Sequence, residues 1–241
     1  MQYIVNIKIY FAWNEFYAID SAKNHLNCTS QKKRITICGM KKQILLATNN
    51  YGKIEELRKI LAFLTGIELI SPNQIGLNLD VEEIGVTYEE NAVLKAETFS
   101  KASGLISLAD DSGLEVNALN GTPGLYSARF SPKKGANDKD RRDFLIQKLA
   151  GEERPWTAQF RATVVVAIPD ERPIIGVGEC KGEIIPEEFG DGGFGYDPIF
   201  FMAEYGKTMA QLSSDTKNQI SHRAKAVKDI SQELKELFDL E

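Results

Sequence analysis

The chain has 241 residues, 43% apolar and 26% charged, the balance of a globular protein with a substantial core. Its net charge of −5 argues against an extended duplex nucleic-acid face, and no apolar run approaches the roughly 18 residues that span a bilayer. Cys28, Cys38 and Cys180 form no CxxC pair and no ligand-like spacing with His25 or His222, which argues against a zinc site or a disulfide scaffold and makes a reducing cytoplasm the expected location.

Residues 1–39 differ in pattern from the rest of the chain. MQYIVNIKIYFAW is apolar but broken by Asn6 and Lys8, and with no small-residue cleavage site after it, it makes a poor signal peptide. MKKQILLAT from Met40 looks like a protein start, so 1–39 is expected to be an appendage to a domain over 40–241. Gln43–Thr48 reads as a buried strand and Asn49–Gly52 as a turn. Lys53–Leu64 continues as a helix with Ile54, Leu57, Leu61 and Leu64 inward and Glu55, Glu56 and Arg58 outward. Ile67–Ile70 is a second strand. Thr87-Tyr-Glu-Glu90 fits a capping box, predicting a helix from about Tyr88 to Ala102 with Gly104 as its C-cap. Leu105–Ala109 is a third strand ending at Asp110 and Asp111, with another short one at Leu114–Asn117.

Asp138–Leu149 is an amphipathic helix. Thr157–Ile168 and Ile174–Ile185 are β-branched and flank Pro169–Pro173, predicting antiparallel neighbours. Gly190–Gly195 is a glycine-rich loop before a strand at Pro198–Met202. A last helix carries Ile220, Ala224, Val227, Leu234 and Leu237 on one face and ends near Leu240. Strands alternating with helices and then pairing with each other predict an α/β protein with a mixed sheet.

The residues suited to chemistry cluster where elements meet. In Thr48-Asn49-Asn50-Tyr51-Gly52-Lys53 a strand gives way to a helix, whose free N–H groups favour anions. Thr48, Asn50 and Lys53 add donors; the segment suits a polyphosphate, or is an ordinary strand–helix turn, and it is not a Walker A loop. SLADDSGLE, residues 107–115, is good turn chemistry, yet adjacent carboxylates also suit a cation. Because successive strand residues point to opposite faces, Asp110 and Asp111 need not share one job. Glu82 and Glu83 form either a solvated pair or part of a Mg²⁺ site, and Lys95, in mid-helix, reads as solvated. Phe194 and Tyr196 are core residues or rings on which a base stacks. Lys217, His222 and Arg223 make an exposed basic helix start or flank one ligand.

Taken together and in order, TNNYGK (48–53), EEIGVTYEENAVLKA (82–96), LADDSGLEV (108–116), GTPGLYSARF (121–130), GGFGYDPIF (192–200) and ISHRAKA (220–226) resemble the inosine triphosphate pyrophosphatase family over nearly all of 40–241. The resemblance implies a two-lobed α/β fold: a long mixed sheet with flanking helices, a cleft between the lobes, and a homodimer. It implies Mg²⁺-dependent hydrolysis of ITP, dITP or XTP to monophosphate and pyrophosphate, cleansing the nucleotide pool; the charge and the lack of a spanning apolar run predict no nucleic-acid or membrane partner. By position the resemblance makes Thr48, Asn49, Asn50, Tyr51, Gly52 and Lys53 the triphosphate loop and Lys95 a phosphate contact. Glu83 and Asp111 become metal carboxylates, and Asp111 also the catalytic proton acceptor. Ser112, Phe194, Gly195, Tyr196, Asp197, Lys217, His222 and Arg223 fall at substrate-binding positions, Tyr196 standing where some relatives carry tryptophan.

Two other functions fit parts of the pattern. A nucleotide-binding regulatory module would not need the acids Glu83, Asp110 and Asp111, and a phosphotransferase would be expected to carry a Walker A or kinase signature.

Overall fold

The computed structural model describes residues 42–240; the expected appendage over 1–39 and the start at Met40 lie outside them. Its frame is an eight-stranded mixed sheet. Strand β1 (Gln43–Leu46) lies between β2 (Glu68–Ile70) and β3 (Ser107–Val116) and runs parallel to both. β3 then pairs antiparallel with the long β5 (Trp156–Ala167), β5 with β6 (Ile174–Ile184), and the sheet ends in β7 (Phe200–Met202) and β8 (Lys207–Thr208). The two-residue β4 (Pro123–Gly124) pairs with the end of β3. Parallel strands joined through helices and antiparallel strands joined by a hairpin are the mixed α/β arrangement that the sequence pattern predicts.

Six α-helices are present among the described residues: α1 (Tyr51–Ile60), α2 (Tyr88–Ser103), α3 (Asp138–Leu149), α4 (Ser214–Ile220), α5 (His222–Asp229) and α6 (Ser231–Leu237). The strict alternation of strand side chains decides which helix each strand residue meets. Ile44, Leu46, Leu108, Val164 and Val166 pack with Leu57 of α1, Val227 of α5 and Leu234 of α6. Their neighbours Leu45, Ala109, Val165 and Ala167 point the other way, onto Ala92, Ala96 and Phe99 of α2. A third apolar cluster joins Leu114, Val116, Trp156, Phe160 and Phe200 to Leu145 and Leu149 of α3.

Three local expectations need correction. First, β3 does not stop at Ala109 or turn at Asp110-Asp111; it runs ten residues straight through them and absorbs the separate strand expected at Leu114. Asp110 pairs with Val164 and Asp111 with Thr163 across an unbroken ladder with β5, so the backbone hydrogen bonds outweigh aspartate's poor strand propensity once both side chains have cationic partners. Second, the helix expected from Lys53 begins at Tyr51. Asn50 caps it by accepting from the Lys53 amide at 3.1 Å, which places the expected turn residues Tyr51 and Gly52 in the first turn. Third, the single C-terminal helix is three. Ser221 is extended (φ −63°, ψ 157°), ends α4 and caps α5 by accepting from the Ala224 amide. A serine whose side chain bonds the backbone competes with helix continuation, and the apolar spacing does not register it.

The capping box at α2 also closes differently from the standard form. Thr87 Oγ1 accepts from the Glu90 amide at 3.1 Å, while Glu90 returns its bond to the amide of Val86, at 2.8 Å. Gly104 ends the helix in the left-handed region, φ 71°.

Candidate functional site

Because Leu108 faces α1 and α5 and Ala109 faces α2, strand alternation sends Asp110 toward α1 and α5 and Asp111 toward α2. Both are buried, and each meets a different set of cations. Asp110 Oδ2 accepts from Arg223 Nε at 3.0 Å and Nη2 at 2.8 Å, and Lys53 Nζ lies 3.2 Å away. Burial alone would raise the Asp110 pKa, but Arg223, Lys53 and Lys95 more than reverse this and hold the carboxyl well below the usual carboxylate range. On the opposite face Lys95 Nζ, contrary to the solvated reading, is mostly buried. It donates to Asp111 Oδ1 (3.1 Å), Glu83 Oε1 (2.9 Å) and the Asp110 carbonyl (2.8 Å).

Asp111 differs from its neighbour. Burial and the nearby Glu83 outweigh the attraction of Lys95, and its pKa is raised. Its second oxygen accepts from Asn91 Nδ2 at 3.3 Å. Glu83 is itself shifted down, since Lys95 and Arg129 more than offset its partial burial; Arg129 Nη1 donates to Glu83 Oε2 at 3.1 Å. Lys95 stays protonated, because the two aspartates and Glu83 overcome the cost of burying its charge.

A second charged group lies beside the first. Arg223 is fully buried, and its Nη1 binds Glu56, which also pairs with Lys217. Glu56 therefore faces inward, a correction to its expected place outside α1: it sits three residues after Lys53, on the face turned to α4 and α5. Lys217 Nζ donates to Asp197 Oδ2 at 2.6 Å, and the same oxygen accepts from the Phe194 amide at 2.9 Å. Asp197 and Glu56 keep Lys217 charged against the penalty of burial. The ring of Phe194 lies with Lys217 Nζ 5.0 Å and Arg223 Cζ 5.8 Å from its centroid. Its edge rests on Gly52, where an added Cβ would come within 2.8 Å of Phe194 Cδ1.

α5 can reach this position because β6 carries glycine beneath it. A Cβ on Gly178 would lie 2.2 Å from the carbonyl of His222, so the helix backbone lies directly on the strand and brings His222 and Arg223 over β3. They form a buried helix start, not an exposed one. His222 stacks on Phe160 with ring centroids 4.9 Å apart, and its Nδ1 has no hydrogen-bond partner. Burial first, then the charge of Arg223, lower its pKa well below the usual value, so the ring is neutral near pH 7.

These groups enclose a cavity of about 150 Å³. Asn50, Lys53, Glu83, Asp111 and Ser112 line one part of it, and Phe194, Gly195, Tyr196, Asp197, Lys217, His222 and Arg223 line another. The remaining sequence-derived candidates lie outside the lining. Thr48 Oγ1 accepts from the Asn50 amide, Asn49 Nδ2 donates to the Leu79 carbonyl at 3.1 Å, and Tyr51 is 75% exposed. Gly52 backs Phe194, and Lys95 sits behind Asp111 and Glu83. Tyr196 is buried with its hydroxyl on the Ser127 carbonyl (2.9 Å), so of the two rings Phe194 is the one placed over the cations. Sequence reasoning passes over Glu56, Asn91, Arg129, Asp138 and Arg141. The last two also line the cavity, and only their place at the start of a helix marks them.

Among the described residues no three His, Cys, Asp or Glu side chains gather into a metal cage. Glu83 and Asp111 nevertheless offer hard carboxylate oxygens converging on one ammonium, and the buried Asp110 Oδ1 has no hydrogen-bond partner. Two carboxylates beside a cavity are the protein donor set that suits Mg²⁺, an ion that takes its other ligands from water and phosphate.

Fold and cavity together define the class: a mixed α/β protein whose charged, aromatic-walled site opens where β1 hands over to a helix N-terminus. Matching of residues 44–233 to the Ham1 family places the chain in that family. It is 43% identical over 201 residues to a dITP/XTP pyrophosphatase of Bacillus anthracis, covering 82% of this chain and 98% of that protein. It is 46% identical over 198 residues to a dITP/XTP pyrophosphatase of Haemophilus influenzae, covering 81% and 100%. Solved structures agree: the Staphylococcus aureus Ham1 protein superimposes with a TM-score of 0.71 at 41% identity, covering 81% of this chain and 99% of that one. A HAM1 protein from Coxiella burnetii gives 0.72 at 38%, with the same coverage.

Proposed function

We propose that this protein hydrolyses ITP, dITP and XTP to the nucleoside monophosphate and pyrophosphate, with Mg²⁺. The observation that carries the reading is the splitting of Asp110 and Asp111. Asp110 is locked to Arg223 and Lys53 outside the cavity lining, whereas Asp111 lines the cavity beside Glu83, with its pKa raised by burial and by Glu83. A binding module needs the first arrangement at most. A hydrolase needs the second, because a free aspartate is a weak base at neutral pH and a raised pKa improves it.

In this reading Lys53 and the free N–H groups at the start of α1 bind the triphosphate. Phe194 stacks on the base, and Arg223, Lys217 and the neutral His222 read its polar edge. A donor at the purine 6-position pairs with the carbonyl of hypoxanthine or xanthine and meets a second donor in adenine, where an unpaired buried group costs about 1–3 kcal/mol. Asp111 orients the attacking water and accepts its proton, and Lys95 holds Asp111 in place. Glu83 and Asp111 would hold Mg²⁺, which supplies charge stabilisation for the pyrophosphate that leaves. The resemblance alone supports a homodimer, which light scattering tests.

The decisive experiment incubates the protein with ITP, XTP, ATP and GTP plus Mg²⁺ and identifies the products. Monophosphate with pyrophosphate from ITP and XTP, well ahead of ATP, is expected. Diphosphate with orthophosphate, a transferred phosphoryl group, or no turnover of any of the four refutes it.

A further inference from the structure

The Phe194 loop is held by the first turns of α3, whose Asp138 also lines the cavity and whose Arg142 does not. Gly195, between Phe194 and Tyr196, has a positive φ of 63° and no side chain, so nothing of its own fixes it. Its peptide is instead gripped on both sides. The Gly195 amide donates to Asp138 Oδ2 at 2.8 Å, and its carbonyl accepts from Arg142 Nη1 at 2.8 Å. Both holding groups are themselves tied down. Asp138 Oδ1 accepts from Arg141, which also donates to the Ala136 carbonyl at 2.8 Å. Arg142 Nη2 donates to Glu188 Oε2 at 2.8 Å, and the arginine side chain is only 11% exposed. Charge-assisted bonds of this kind are shorter and stronger than neutral ones, and a fork held at both ends resists rotation.

We propose that Asp138 and Arg142 are positioning residues for base recognition: by clamping the Gly195 peptide they set where the Phe194 ring lies over Lys217 and Arg223. The inference rests on the nucleotide reading of the cavity above. Neither residue belongs to the phosphate-facing half of the site around Lys53, Glu83 and Asp111. Loosening the clamp therefore weakens recognition of the base and leaves the handling of the phosphates intact.

The test uses Arg142→Met, which keeps the apolar stem and removes the fork, Arg142→Lys, which restores one cationic donor, and Asp138→Ala. The KM and kcat for ITP are measured, together with the inhibition constant of tripolyphosphate, a probe with phosphates and no base. Amide hydrogen exchange is followed over residues 190–197. Arg142→Met is expected to raise KM for ITP about tenfold, the effect of one charge-assisted bond, with kcat changed less than about threefold. The tripolyphosphate constant stays unchanged, exchange of the loop quickens, and Arg142→Lys recovers part of both effects. Asp138→Ala gives the same pattern from the other side of the peptide, which keeps the test intact if one variant folds poorly. Unchanged KM, unchanged loop exchange, or a parallel rise in KM and the tripolyphosphate constant overturns the proposal. If the wild type turns over no nucleotide, the functional reading falls and the role in base recognition falls with it, whereas a failure confined to the variants leaves that reading standing.

Discussion

Exchanging each adjacent aspartate for asparagine separates a structural from a chemical carboxylate. Asp110→Asn removes the charge that Arg223 and Lys53 share, leaving Lys53 buried with no close carboxylate and Arg223 with Glu56 alone. Breaking a buried pair from one side costs about 3–5 kcal/mol, and at about 2–4 °C per kcal/mol for a chain of this size the melting temperature should fall by roughly 6–20 °C. The sign with pH follows from the depressed pKa. Asp110 stabilises the fold fully at any pH above the ordinary carboxylate range, near 4, and this is lost only as pH falls from there toward its own lower value. Asp111 has the opposite sign: its pKa is raised, so the folded state favours the protonated form and loses stability as pH rises through that value. An asparagine amide carries no such charge, so Asp111→Asn should leave the melting temperature within about 4 °C of wild type at pH 7, or slightly above it. Turnover of ITP in this variant should fall about 10²–10⁴-fold through loss of the base. Thermal melting and pyrophosphate release read both variants. Equal losses of melting temperature in the two, or a kcat for Asp111→Asn within about threefold of wild type, would refute the division of labour.

Lys95→Met removes the cation that favours ionised Asp111, so the Asp111 pKa should rise further and the acid limb of the kcat/KM profile should move to higher pH; an unmoved limb would mean Asp111 is not the group titrating. Gly52→Ala puts a methyl 2.8 Å from the Phe194 ring and should tilt it away, raising KM for ITP roughly fivefold, part of the about 1–3 kcal/mol that stacking supplies, with kcat nearly unchanged. Gly178→Ala places a Cβ 2.2 Å from the His222 carbonyl and lifts α5 from β6; a stability loss of about 1–3 kcal/mol by urea unfolding is expected, with a higher KM for ITP, and wild-type values for both would show that the helix accommodates the methyl.

What the sequence discloses depends on the range of the interactions involved. The short apolar run in QILLAT, the cap at Thr87 and the β-branched runs on either side of Pro169–Pro173 are local, and the strands and helix they predict are present nearly at their expected limits. β3 escapes such reasoning because the propensity of Asp-Asp-Ser-Gly is local whereas the forces that straighten it come from Arg223, Lys53 and Lys95, up to 113 residues away. Glu56 and Lys95 look like ordinary solvated helix residues for the same reason: their partners arrive from other elements, and helical spacing cannot distinguish a face turned to solvent from one turned to a charged cavity. The clamp at Gly195 is less visible still, since a glycine peptide carries no side-chain signal and its partners lie more than 50 residues away.

The charge balance of the cavity explains why so many ionisable groups can be buried together. Glu56, Glu83, Asp110, Asp111 and Asp197 face Lys53, Lys95, Lys217 and Arg223, so the carboxylates exceed the cations by one before Arg129 closes on Glu83. A cluster of this near-neutral composition has no net charge with which to attract a triphosphate, and a bare polyanion would have to displace carboxylates from the lysines it needs. Under the proposed function that difficulty serves a purpose. Glu83 and Asp111, the two carboxylates suited to a divalent cation, are only just balanced by Lys95 and Arg129, and a cation held there would give the site the net positive charge that a triphosphate needs. Asp110 stands apart from these two, because it lies outside the cavity lining and its charge is spent on holding Arg223 and Lys53 in place. Two neighbouring residues of one strand thus separate scaffold from chemistry through the direction in which each side chain leaves the backbone.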